Sequence, residues 1–95
     1  MGIDVYGLVF DDDNEAKFAA HRVIPQEVVE VFEGRPGFHR NDGPRKRASH
    51  VMVGPTIAGR ILLIPIERVE PGMWRPTTAF EPSTHQSARF RRSAR

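Results

Sequence analysis

The sequence predicts a small α+β domain, an antiparallel β-sheet with a helix pair packed on one face, in the order β-α-α-β-β-β-α. Three observations carry this expectation. Residues 10–33 read as helix, and Pro25 divides that stretch into two short segments. Stretches rich in β-branched and aromatic residues lie on both sides of the helices. Helices and strands do not alternate along the chain, which argues against a doubly wound parallel sheet.

The first strand is expected over residues 3–10, with Val5, Gly7 and Val9 on one face and Tyr6, Leu8 and Phe10 on the other. Apolar groups on both faces predict a strand that is central or covered on both sides. Asp11, Asp12 and Asp13 then open a helix over 13–21, because carboxylates accept from its orphan N–H groups and suit the positive end of its dipole. Pro25 lacks an N–H and so fits the first turn of a second helix over 25–33. That helix carries Val28, Val29 and Phe32 on one face, and Gly34 and Pro36 stop it. Residues 35–44 read as a polar loop, the segment with the strongest signals for mobility.

Strands follow over 47–54, 58–67 and 74–80, each bracketed by Gly or Pro. Gly54 and Gly59 supply the conformational freedom of a hairpin. Residues 61–66 are expected to be the most buried strand, with Pro65 marking a bulge or an edge. Val28, Val29, Phe32, Val51, Leu62 and Ile64 are the expected core. Residues 1–82 form one domain in this reading, and 83–95 a basic C-terminal helix or tail with Phe90 as its apolar anchor.

Ninety-five residues suffice for one domain with a small core. The longest apolar run is far too short to span a bilayer, and Asp4 falls where a secretory leader would be basic. Cysteine is absent, so thiolate metal sites and disulfides are excluded. Cytoplasmic residence is the simplest expectation. The net charge of +2 conceals a split between −6 up to Glu33 and +8 from Gly34 onward. Such a split suits either an anionic partner for the basic half or mutual neutralisation of the two halves within one fold.

Phe10-Asp11, Lys17, His21, Val23, Glu27 and Phe32 fall in the order of the opening of the BrnT-type toxins. The segment VGPTIAGRILLI resembles that family's hairpin through Gly54, Thr56, Gly59, Arg60 and Leu62, and Arg75 and Ala79 resemble its last-strand segment. The resemblance covers residues 10–90. It implies a RelE-like fold and a metal-independent ribonuclease that inhibits translation as the toxin of a type II toxin–antitoxin system. It also implies an RNA substrate and an antitoxin with a ribbon-helix-helix DNA-binding domain, assembled as a homodimer or a toxin–antitoxin heterotetramer. No cofactor is implied. Departures from the pattern are Arg22 in place of a glycine, Ile24 in place of a capping serine, Phe80 in place of a second arginine, and Gln86 and Phe90 in place of a late Glu and Tyr.

Metal-independent RNA cleavage needs a proton acceptor, cations for the phosphorane and a proton donor. The histidines at 21, 39, 50 and 85 titrate in the right range. His21, Arg60 and Arg75 are the expected catalytic set, with the two arginines on the scissile phosphate. His21 has a second reading as a structural group bonding helix-end carbonyls, and His50 one as a surface cross-strand neighbour. Arg45, Lys46 and Arg47 are the expected nucleic-acid rim. No H-x-x-x-H spacing exists, and three consecutive aspartates diverge, so a metal site is not expected. Two classes of function remain: a ribonuclease toxin, and a non-catalytic relative of the same fold that binds protein or nucleic acid.

Overall fold

The computed structural model describes residues 3–41 and 47–83. Its elements are β1 (Gly7–Leu8), α1 (Asp12–Ala20), α2 (Pro25–Glu33), β2 (Gly37–Arg40), β3 (His50–Pro55), β4 (Ile61–Glu70) and β5 (Met73–Pro76). They form a mixed α+β fold with one five-stranded sheet in the order β1-β5-β4-β3-β2.

Two expectations about the sheet need correction. β1 is an edge strand, and it pairs with β5 in parallel, so the sheet is mixed rather than antiparallel. The two helices carry the chain back between β1 and the rest of the sheet, and such a crossover allows parallel pairing. Residues 37–40, expected as loop, form β2 against β3, with Phe38 opposite Met52 and Arg40 opposite His50. Four residues flanked by Gly, Pro and Asn carry little strand signal of their own, and the pairing comes from the neighbouring strand. The expected C-terminal helix lies outside the described residues, as do His85, Gln86 and Phe90. Among the described residues no helix is long and apolar enough to cross a membrane.

Both helices begin where the local chemistry directs. Asp11 caps α1 in a reciprocal box: its Oδ1 accepts from the Asn14 N–H at 2.8 Å, and Asn14 Oδ1 accepts from the Asp11 N–H at 2.9 Å. Asn14 is fully buried, and its Nδ2 donates to the Val9 carbonyl at 2.9 Å. One amide side chain thus ties β1 to α1. Pro25 opens α2, where Glu27 Oε1 accepts from the Ile24 N–H at 3.1 Å. α1 ends in a Schellman turn, with Val23 N–H on the Phe18 carbonyl at 2.9 Å and Arg22 N–H on the Ala19 carbonyl at 3.0 Å.

The helices pack on one sheet face. Phe18, Val23, Val28 and Val31 meet Met52, Leu62, Ile64, Ile66, Trp74 and Ala79 there. Full burial of such side chains contributes about 1.5–3 kcal/mol each. Val28, Leu62 and Ile64 are buried as expected, whereas Val29, Phe32 and Val51 are only half-buried. α2 presents Val28 and Val31 rather than Val28, Val29 and Phe32, and Val51 alternates with Met52 onto the opposite face. Gly54 is not a turn glycine. A Cβ there would sit 3.2 Å from Val31 Cγ1, so its role is close approach of α2 to the sheet. Gly59, at φ 91°, is the residue that lets the hairpin turn.

Pro65 lies inside the central strand, where a missing N–H needs an accommodation. Pro65 faces Val51 of β3 in regular register, and its carbonyl accepts from the Thr77 N–H at 2.9 Å. The register shift in β4 falls instead between Arg68 and Glu70, against β5, and not at Pro65 where the sequence suggested a bulge or an edge.

Candidate functional site

Arg60 follows the Gly59 turn and reaches the far end of α1. Its Nη1 donates to the Arg22 carbonyl at 2.7 Å, and Nη2 to the His21 carbonyl at 3.3 Å. Nη1 also meets both Glu27 carboxylate oxygens at 3.1 Å, and Nε donates to Glu81 at 2.7 Å. A cation is favourable against the unsatisfied carbonyls at a helix C-terminus. The guanidinium therefore ties the end of α1 to the first turn of α2. Hydrogen bonding to Glu81, then to Glu27, holds it more firmly protonated than an ordinary arginine.

Arg75 does the same work at the opposite end of α1. Its Nε donates to Asp11 Oδ2 at 2.6 Å and Nη2 to Asp11 Oδ1 at 3.0 Å, a two-pronged pair. Nη2 also donates to Asp13 at 3.2 Å, and Nη1 to Glu67 at 3.1 Å. The side chain is only 12% exposed. Hydrogen bonds from Arg75, and then from the Asn14 N–H, lower the Asp11 carboxyl to about 2. The same contact with Asp11 raises the arginine further above its usual range.

The three expected catalytic residues do not converge. Arg60 is beside His21, but only the His21 backbone carbonyl is engaged. The imidazole leans on Phe80 with ring centroids 5.7 Å apart. Arg75 is bound to Asp11, ten residues before His21. At 1.5 Å per helical residue, the two guanidinium groups stand on the order of 15 Å apart, far more than one phosphate spans. Of the expected basic rim, Arg47 pairs with Glu67 at 3.1 Å, while Arg45 and Lys46 lie outside the described residues. Asp11, Asp13 and Glu27 of the acidic part pair with Arg60 and Arg75 of the basic part, alongside Glu67 and Glu81 of the basic part itself, so the charge split is met in part within the fold.

A second site was not anticipated. Ile3, Asp4, Tyr6, Ser49, His50, Arg68, Pro71, Gly72 and Trp74 line a cleft of about 490 Å³. By strand pairing, His50, Ile66, Arg68 and Trp74 share one face of the sheet. The cleft lies at the end of β4 away from Arg60. Trp74 forms its floor, with its Nε1 donating to the Asp4 carbonyl at 2.9 Å and the His50 ring edge-on to it at 5.3 Å. Ser49 Oγ and His50 Nδ1 are 2.8 Å apart. Gly72, at φ 82°, permits close approach as well as the turn, since a Cβ there would collide with the Tyr6 ring. These residues come from three separated stretches, and no spacing in the sequence announces them. His50 was visible only as one of four histidines suited to proton transfer and as a surface cross-strand neighbour.

Comparison of the chain with protein family models, with curated proteins and with solved structures finds no match.

Proposed function

We propose that this chain is a non-catalytic relative of the BrnT-type toxins, a binding module on a RelE-like scaffold that engages a protein partner of the antitoxin kind. One observation carries the non-catalytic part. Arg60 and Arg75, the two cations a phosphorane would need, each already satisfy carboxylates and stand at opposite ends of α1. Binding RNA phosphate through either would require breaking these bonds first.

The element order of one strand, two helices and then antiparallel strands supports the scaffold reading. The protein-binding part is supported by the surroundings of Arg60. Ile24, Ile57 and Ile61 are all exposed, Ile57 at 86%. Ile24 precedes α2, Ile57 sits in the turn whose N–H bonds Glu30, and Ile61 follows Arg60. Exposed isoleucines beside an arginine already held by carboxylates suit a protein contact better than an RNA groove.

The ribonuclease reading retains one observation in its favour, the adjacency of Arg60 and His21. Incubation of purified protein with RNA in EDTA separates the two. The expected result is no cleavage above a nuclease-free control. Cleavage lost in both His21→Ala and Arg60→Ala, with folding intact, would establish the ribonuclease instead.

A further inference from the structure

The cleft floored by Trp74 has the parts of a small-ligand site, and none of them belongs to the Arg60 or Arg75 clusters. Tyr6 is 77% exposed, yet its ring is not loose. One side rests against Gly72, and the Tyr6 N–H donates to the Gly72 carbonyl at 2.8 Å. An aromatic ring supported from one side and open on the other is a stacking platform.

Arg68 and Asp4 line the same cleft. Among the described residues neither makes an ion pair, in contrast to Arg47, Arg60 and Arg75. An unneutralised guanidinium suits a phosphate, to which it can present two parallel N–H groups. A carboxylate in the same cleft suits hydroxyl donors such as a ribose diol, the role an acidic residue takes in many nucleotide sites. The Ser49 hydroxyl and the His50 ring, 2.8 Å apart, add polar groups to the lining of the cleft. The volume of about 490 Å³ falls within the range of small-ligand sites.

We propose that this cleft binds a nucleotide unit: the base stacks on Tyr6, the phosphate meets Arg68, and the ribose hydroxyls donate to Asp4. A free mononucleotide and one nucleotide of a single strand share this chemistry. The occupant is bound, not transformed. The proposal goes beyond the binding-module reading and does not depend on it, because the two sites share no residue.

Trp74 is the chain's only tryptophan and forms the floor, so its emission reports occupancy directly. The full-length protein is titrated with AMP, with inorganic phosphate and with a hexaadenylate, followed by fluorescence and by calorimetry. The expected result is a saturable change with AMP that phosphate alone does not reproduce. Tyr6→Ala and Arg68→Ala should each weaken binding about 10-fold, the scale of one stacked base, while Tyr6→Phe binds as wild type. Thermal melts of each variant show that the fold is retained.

Hexaadenylate bound more than 10-fold tighter than AMP identifies a strand as the source, and comparable affinities identify the free nucleotide. The proposal is overturned if neither ligand gives a saturable signal at millimolar concentration. It is overturned equally if phosphate alone accounts for the binding, or if Tyr6→Ala and Arg68→Ala, both folded, bind AMP as wild type does. RNA cleavage in EDTA, read separately, bears on the binding-module reading alone.

Discussion

Replacing Arg75 by Met should unfold the protein more easily rather than silence a reaction. Methionine keeps much of the aliphatic volume, so the change removes the guanidinium without opening a large cavity. Four N–H···O contacts disappear, to Asp11, Asp13 and Glu67. A hydrogen bond to a charged group contributes about 1.5–3 kcal/mol where water is excluded. Asp11 and Asp13 are 40% and 64% exposed, so solvent screens much of their share and brings it toward that of surface pairs. The sheltered part is the contact between Arg75 and Glu67, at 12% and 21% exposure. The expected net loss for Arg75→Met is about 2 kcal/mol, well below four unscreened bonds. For a domain of this length that lowers Tm by roughly 8–16 °C. Urea and thermal denaturation followed by circular dichroism measure it. A loss below about 0.5 kcal/mol, within the range of an ordinary surface substitution, would refute the structural role given to this arginine.

The Asp11 carboxyl, lowered to about 2, sits below its unfolded value of about 3.9, so its stabilising effect is complete above pH 4 and is lost as pH falls through 2. Urea midpoints between pH 2 and pH 5 should fall more steeply for wild type than for Asp11→Asn; parallel curves would remove Asp11 from the acid transition. Asn14→Ala leaves the Val9 carbonyl and the Asp11 N–H without their partner and should cost about 1–3 kcal/mol in urea denaturation; an unchanged midpoint would mean that solvent replaces both bonds. Arg22 and Arg35 hold φ of 59° and 58°, where a side chain is strained, so Arg22→Gly and Arg35→Gly should each raise stability by up to about 1 kcal/mol. A lower Tm in both variants would show that these side chains stabilise the fold by more than the strain.

The helices were legible because their signals are local. Asp11 and Pro25 act within one turn of themselves, and both helix boundaries follow within a residue. Strand pairing is not local in that sense. Residues 37–40 become β2 because Val53, Met52, Val51 and His50 lie opposite them, and nothing in GFHR states that. Arg60 and Arg75 show the same limit at the level of function. Each could be read as a phosphate contact because the carboxylates that occupy it lie 8 to 64 residues away in sequence. Arg22 carries the opposite lesson. Where the BrnT resemblance expects glycine, the backbone takes the left-handed conformation that glycine favours, although the residue is arginine. Asn14 had a readable signal, an Asn three residues after a capping Asp, but its burial depends on the Val9 carbonyl it finds.

The parallel seam between β1 and β5 also orders the events of folding. It joins residues at opposite ends of the sequence, as the bond from Trp74 Nε1 to the Asp4 carbonyl, 70 positions apart, makes plain. During synthesis from the N-terminus, β1 is made first and is the last to find its neighbour. The hairpin of β3 and β4 closes across residues 56–60 and needs no contact with β1. Contacts of such long range slow folding, and until Gly72 to Trp74 emerge the β1 backbone lacks the acceptors and donors it meets in the finished sheet. Until that pairing forms, the first strand is an unpaired edge, the part of the nascent chain most open to mispairing with another copy.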